Sequence, residues 1–182
     1  MKGFFLGIVG AMVVAGVALV LLASMETPRP SCADGAISVS KTAEDAFNSK
    51  WSAFDAALNR GGEATVTLTE EEVTSRAVRY LADNGFSAGD VQVHLCPGNG
   101  AGQAAMRAQI AGRDVQAVVT GHLDLAASRR SIVVDSLQIG QVPQQIATPL
   151  ANRLMELVAI TIPSSLQGAT STSTSITIRG RK

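Results

Sequence analysis

The chain has 182 residues, with 15 basic and 15 acidic side chains. A net charge of zero gives no basic footprint for nucleic acid. Phe47, Trp51, Phe54, Tyr80 and Phe86 are the only aromatics after residue 25, so a core must be built mainly of Val, Ala, Leu and Ile.

Gly3 to Ala23 carries no charge. As a helix it would cover ~30 Å, the thickness of a bilayer core. It is longer than the apolar region of a cleaved signal, and no clean A-x-A site follows it. The reading is an uncleaved transmembrane anchor over residues 1–25. Lys2 before the run and Glu26 after it place the N-terminus in the cytoplasm and the rest outside: a single-pass membrane protein with an extracytoplasmic domain. Residues 26–39 form a linker, kept extended by Pro28 and Pro30. Cys32 lies too far past the apolar run, behind Pro30 and Ser31, to be a lipidation site.

The domain occupies residues 40–182. Ser40 or Thr42 caps a helix running to about Leu58, with Phe47, Trp51, Phe54 and Leu58 on one stripe. Gly61 and Gly62 end it. Ala64 to Thr69 alternates as a strand. Thr69 and Glu72 make a capping box for a second helix, whose apolar stripe is Val73, Ala77, Tyr80 and Leu81. Val91 to Leu95 is the next strand, and Cys96 to Gly100 turns the chain.

Gln103 to Leu125 is two long alternating runs about a Gly112-Arg113 joint, which fits a type II′ hairpin. On that turn Ile110 faces Val115, Met106 faces Val119 and Ala104 faces Gly121. One face is apolar throughout. Ile132 to Val142 returns as a strand with Val133, Leu137 and Ile139 on one side. Asp135 shares their parity and leaves that register open. Thr148-Pro149 starts a third helix, with Leu150, Leu154, Leu157 and Val158 as its stripe. Ser164 onward reads as a loop followed by a strand with Thr172, Thr174, Ile176 and Ile178 on one face. The expected fold class is α+β: a curved antiparallel meander packed on one face with about three helices.

No catalytic constellation stands out. His94 and His122 read as polar residues on the solvent side of a sheet, since no carboxylate cluster accompanies them as metal ligands. Cys96 with His94 as base lacks an orienting group and an oxyanion loop. Gly98, Gly100 and Gly102 open a strand rather than a helix, so they are no phosphate loop. Cys32 and Cys96 are expected to form a disulfide, which an oxidising compartment permits and which would tie the linker to the sheet; the alternative is two separate thiols.

The stretch ATVTLTEEEVTSRAVRYL, followed by VQVHLCPG, the long hairpin, DSLQIGQVPQQIATPLANRL and a closing ITIRG, resembles the YpmS-like and LmeA-like single-span bacterial envelope proteins. Those families are similar to small tubular lipid-binding (TULIP-type) domains. The resemblance implies a curved sheet and helices enclosing acyl chains. It implies no catalytic residue and no cofactor.

The expected function is therefore a membrane-tethered, non-enzymatic domain that binds a lipid or other apolar ligand. Met106, Ile110, Val115, Val119, Leu123 and Leu125 would floor the groove, and Trp51, Phe54 and Leu154 would wall it; the other reading of the same residues is a filled core with no cavity. The alternative is a scaffold or interaction module for another cell-envelope protein, working through an exposed strand edge or the Ser/Thr-rich loop.

Overall fold

A computed structural model describes residues 29–32, 35–83, 89–110, 113–125, 131–140, 142, 145, 148 and 163–182. The first described element is helix α1, Lys41–Asn59. Ser40 is its cap, in extended backbone, with its Oγ accepting the Ala43 N–H at 3.1 Å. That bond satisfies one of the orphan donors of the first turn. The aromatic stripe does what its spacing dictates. Phe54 and Leu58 are buried, and the Phe47 and Trp51 rings stack at 6.0 Å against the same core.

Strand β1, Glu63–Thr69, buries Val66 and Leu68 and exposes the threonines between them. It runs straight into α2, Glu70–Asp83. The capping box closes at this joint: Thr69 Oγ1 accepts the Glu72 N–H at 3.3 Å, and the Glu72 carboxylate accepts the Thr69 N–H at 3.0 Å. Lys50 of α1 ion-pairs with Glu72 at 2.7 Å and so pins the two helices together.

Four strands follow: β2 (Gly89–Cys96), β3 (Ala101–Ile110), β4 (Arg113–Asp124) and β5 (Ser131–Ile139). They form an antiparallel meander in the order β2-β3-β4-β5. The last two strands, β6 (Leu166–Ser171) and β7 (Ser175–Arg181), join β1 in a separate sheet of order β1-β7-β6. Among the described residues one backbone bridge links the two sheets, Gly98 with Ser171. Ser171 also stitches the corner with its side chain. Its Oγ accepts the Ala101 N–H at 3.1 Å and donates to the Cys96 carbonyl. The larger core cluster fills the space between α1, the inner face of the three-stranded sheet, and Leu95 of β2, with Leu123 and Leu125 packed against it.

This architecture corrects several expectations. The described residues are mostly β, in two antiparallel sheets rather than one meander, with two helices described in full. The cause is β1, which pairs with β7 from the far end of the chain (Val66 with Ile178, Leu68 with Ile176). The stretch from Ser164 is a hairpin, so Thr172 and Thr174 lie in its turn rather than on a strand. Among the described residues no helix is long and apolar enough to cross a membrane. The reading of residues 1–25 as an anchor lies outside the described residues, as do Leu150, Leu154, Leu157 and Val158 of the expected third helix.

The central hairpin is present with its partners displaced by two residues. Ile110 pairs with Arg113, Met106 with Ala117, Ala104 with Val119 and Gly102 with Gly121. A slide of two keeps every side chain on its own face, and so the apolar pattern does not oppose it. In β5, a register shift leaves Asp135 unmatched between Ser136, opposite Thr120, and Val134, opposite Gly121. The parity conflict at Asp135 is thereby resolved. Val134 rather than Val133 joins Leu137 in a second core cluster, and Asp135 meets His122 instead.

Helix α2 departs furthest from its pattern. Glu72, Thr74 and Ser75 are its buried residues, while Tyr80, expected on the apolar stripe, is 58% exposed. The buried side chains are polar because they hydrogen-bond neighbouring elements. Ser75 Oγ accepts the Ser40 N–H at 3.1 Å, and Thr74 bonds the edge of β2.

Candidate functional site

The linker is fastened to the meander at two points. Cys32 and Cys96 form a disulfide with their Cα atoms 5.4 Å apart. Beside it, the buried Gln103 side chain accepts the Cys32 N–H at 3.0 Å and donates to Ser31 Oγ at 2.9 Å and to Thr120 Oγ1 at 3.1 Å. Every polar capacity of the Gln103 amide that faces the linker is thus in use, which makes Gln103 structural.

The nine residues expected to hold a ligand separate into different environments. Phe54 and Val115 are buried members of the packed interior. Trp51 lies against the larger core cluster, between Phe47 and Phe54. Val119 packs on Val134 and Leu137 in the smaller one. Met106 is half-buried opposite Ala117. Ile110 is described only by its backbone pairing, and Leu154 lies outside the described residues. Leu123 and Leu125 line an open cavity.

That cavity is a groove of about 510 Å³ between the two sheets. One wall is four consecutive residues at the end of β4, His122 to Leu125. The other is four consecutive residues of β6, Gln167 to Thr170, with Thr177 and Arg179 of β7 behind them. Asn99 stands at the tip of the β2–β3 turn. When four consecutive strand residues line a space, both side-chain faces and the strand edge border it. The β4 wall follows from where its neighbour stops: the last β3–β4 pair is Gly102 with Gly121. On the other wall, β6 has one strand neighbour among the described residues, β7, and its one backbone bridge to the meander side is at Ser171, with Ala169 packed close to Gly100.

Gly100 closes one side of this space. Its φ is +67°, and an added Cβ would stand 2.9 Å from Ala169 Cβ and 3.4 Å from Leu123 Cβ. The absence of a side chain lets the two walls converge there. The groove then offers two chemistries. Leu123, Leu125 and Ala169 are the apolar contacts shared with the core. His122, Asp124, Thr170, Thr177 and Arg179 are the polar ones. His122 Nδ1 lies 2.9 Å from Asp135 Oδ2 in a half-exposed pair.

The two histidines part company. His122 is accessible, as its sequence position suggested. His94, expected on the solvent side, is 2% exposed and has no hydrogen-bond partner at Nδ1, which lies 3.9 Å from Glu70 Oε1. Glu70 is itself engaged, accepting the Leu95 N–H at 2.6 Å. Helix α2 lies over this edge of β2 and buries His94, which a strand-by-strand reading does not anticipate. Among the described residues no group of three or more His, Cys, Asp or Glu is placed to hold a metal ion.

Sequence reading missed the β6 wall. Its signal, LQGATS, has only Leu166 and Ala169 as apolar residues, spaced by three. A register shift between Leu166 and Gly168 breaks the alternation that would mark a strand. No protein-family model, curated protein or solved structure matches this chain.

Proposed function

We propose that this chain is a non-enzymatic binding module that holds an elongated ligand in the groove between its two sheets. The observation that carries this reading is the groove itself. It has a volume in the range of ligand sites, an apolar side shared with the core, and a polar side. A lipid-binding role in the manner of the YpmS-like and LmeA-like proteins draws support from Leu123 and Leu125. It draws none from Phe54, Val115 or Val119, which are spent on packing. A role as an interaction module draws support from the three-stranded sheet, which ends in the edge strands β1 and β6. The Cys32–Cys96 disulfide favours an oxidising, extracytoplasmic location.

Gly168 supplies the test. It lines the groove, and an added Cβ there meets nothing within 4 Å. Gly168→Trp should therefore plug the groove and leave the core intact. Native mass spectrometry of the purified domain, incubated with lipid extract or with synthetic peptides, should find bound ligand on the wild type and none on the variant. Equal binding by both, or by neither, would remove the groove from consideration.

A further inference from the structure

We infer that the Cys32–Cys96 bridge is a redox latch. Reduction by a dithiol frees the linker while both sheets stay folded, and it moves the point at which the preceding chain leaves the domain.

Little else holds the linker. The Cys32 N–H and the Ser31 hydroxyl are both bonded to one side chain, the Gln103 amide. The described residues between Cys32 and Ser40, 35–39, make no hydrogen bond or ion pair, and Val39 is 50% exposed. Firm contact resumes at Ser40, whose N–H donates to Ser75 Oγ at 3.1 Å. Two neutral hydrogen bonds have a modest net worth, and ordering a free segment costs backbone entropy. The covalent bridge is therefore what keeps the linker in place.

Opening the bridge leaves few groups bare. Gln103 keeps its bond to Thr120 Oγ1 at 3.1 Å, and Ser31 is already exposed. Water replaces the two lost bonds. Among the described residues neither cysteine belongs to a core cluster. The corner between the sheets is held through the backbone of Cys96 and Gly98, both bonded to Ser171, and not through the sulfur. That corner survives reduction.

Cys96 is 8% exposed, and Cys32 is the more accessible of the pair. A thiolate of the dithiol attacks Cys32 Sγ, the S–S bond breaks, and Cys96 leaves as a thiolate. The second thiol of the reductant then attacks its own sulfur in the mixed disulfide and releases Cys32. Two electrons pass to the protein, its two thiolates take up two protons, and the reductant ends as a disulfide, having given up two protons.

The consequence is positional. Bridged, the preceding chain is fixed at Cys96, three positions before Asn99 in the β2–β3 turn. Open, it joins the domain at Ser40, where the hydroxyl lies 3.4 Å from Glu71 Oε1 at the start of α2. Ser40 is eight positions after Cys32. Opening thus adds up to roughly 26–29 Å of reach. A segment that passes from ordered to free in this way acts as a switch.

The test uses the full chain, isotopically labelled, either oxidised or treated with dithiothreitol under native conditions. On reduction, hydrogen exchange at the Cys32 amide and the Gln103 side-chain amide should rise at least about tenfold, as for a locally opened segment. The Val66 and Ile178 amides, in the paired strands β1 and β7, should keep their protection. Cys32→Ser/Cys96→Ser, read without reductant, should show the same pattern. Continued protection of Gln103 and the residue 32 amide after reduction would show that the linker needs no latch. Loss of protection at Val66 and Ile178, in reduced wild type or in the double variant, would show a staple of the whole fold. A bridge that dithiothreitol reaches only in denaturant would show that the linker does not open by itself. Any of these three results overturns the inference.

Discussion

The Thr74 hydroxyl on α2 takes the place of a neighbouring strand for Val93 on β2, accepting its N–H at 3.0 Å and donating to its C=O at 3.3 Å. Thr74 is fully buried. With Glu70 accepting the Leu95 N–H, one helix caps two successive outward positions of an edge strand. This edge of the meander is thereby closed to pairing with another chain. The edge of β5 is partly closed in the same way, by Thr148 Oγ1 accepting the Leu137 N–H at 3.0 Å. The edge of β6 is bridged to the turn after β2 at Ser171, through both backbone groups of Gly98.

Replacing Thr74 by valine keeps the shape and removes the hydroxyl. Two buried backbone groups of Val93 lose their partner, at roughly 1–3 kcal/mol for each group left bare. The expected outcome is a loss of about 2–4 kcal/mol in urea unfolding, with Thr74→Ser retaining most of the stability. Equal stability of Thr74→Val and wild type would show that water or a rearranged helix takes over the bonds.

Cys32 and Cys96 are separated by 64 positions, and cross-linking them restricts the unfolded chain. In the chain-entropy account a loop of this length is worth roughly 4 kcal/mol. The Cys32→Ser/Cys96→Ser double variant should lose stability by about that amount. Thiol labelling of the denatured, unreduced wild type should find no free cysteine; two labelled thiols would contradict the bridge.

Val119 and Gly168 should respond oppositely to the same substitution. Val119 packs on Val134 and Leu137, so Val119→Trp overpacks an interior and should cost about 1–3 kcal/mol or more, lowering the melting temperature. Gly168→Trp enters open space, so its melting curve should match wild type while ligand binding is lost. Reversal of the two melting results would mean that the groove is a filled core and the β4 face the real cavity.

Gly121 is held by its neighbour across the irregular β4–β5 pairing. A Cβ there would approach the Val133 carbonyl oxygen to 2.6 Å. Gly121→Ala forces backbone to move at the bulge that turns Asp135 toward His122. The expected cost is about 1–3 kcal/mol, comparable with overpacking. The His122 ring signals should shift in the NMR spectrum as well. An unperturbed His122 environment would show that the bulge does not depend on this glycine.

Local chemistry made much of the front half legible. Ser40 caps α1, the spacing of Phe54 and Leu58 fixes its buried side, and Thr69 with Glu72 marks the strand-to-helix joint. These features depend on residues within a turn or two of one another, and neighbouring residues meet in any fold that contains the element. The hairpin's face assignment was legible for the same reason, and its register was not, because a period of two is blind to a slide of two.

The sequence by itself determined the caps, the alternation of β1 and β4, the aromatic side of α1, and the pair of cysteines available for bridging. Only the tertiary structure decided that β1 pairs with β7 across more than half the chain, and that the most buried side chains of α2 are the polar Glu72, Thr74 and Ser75. It alone placed Leu123 and Leu125 in a groove while Val119 went to a core. The strands among these are apolar segments, and hydrophobic burial is non-directional. Which apolar face meets which depends on contacts between distant segments, and a groove forms wherever two such faces fail to meet.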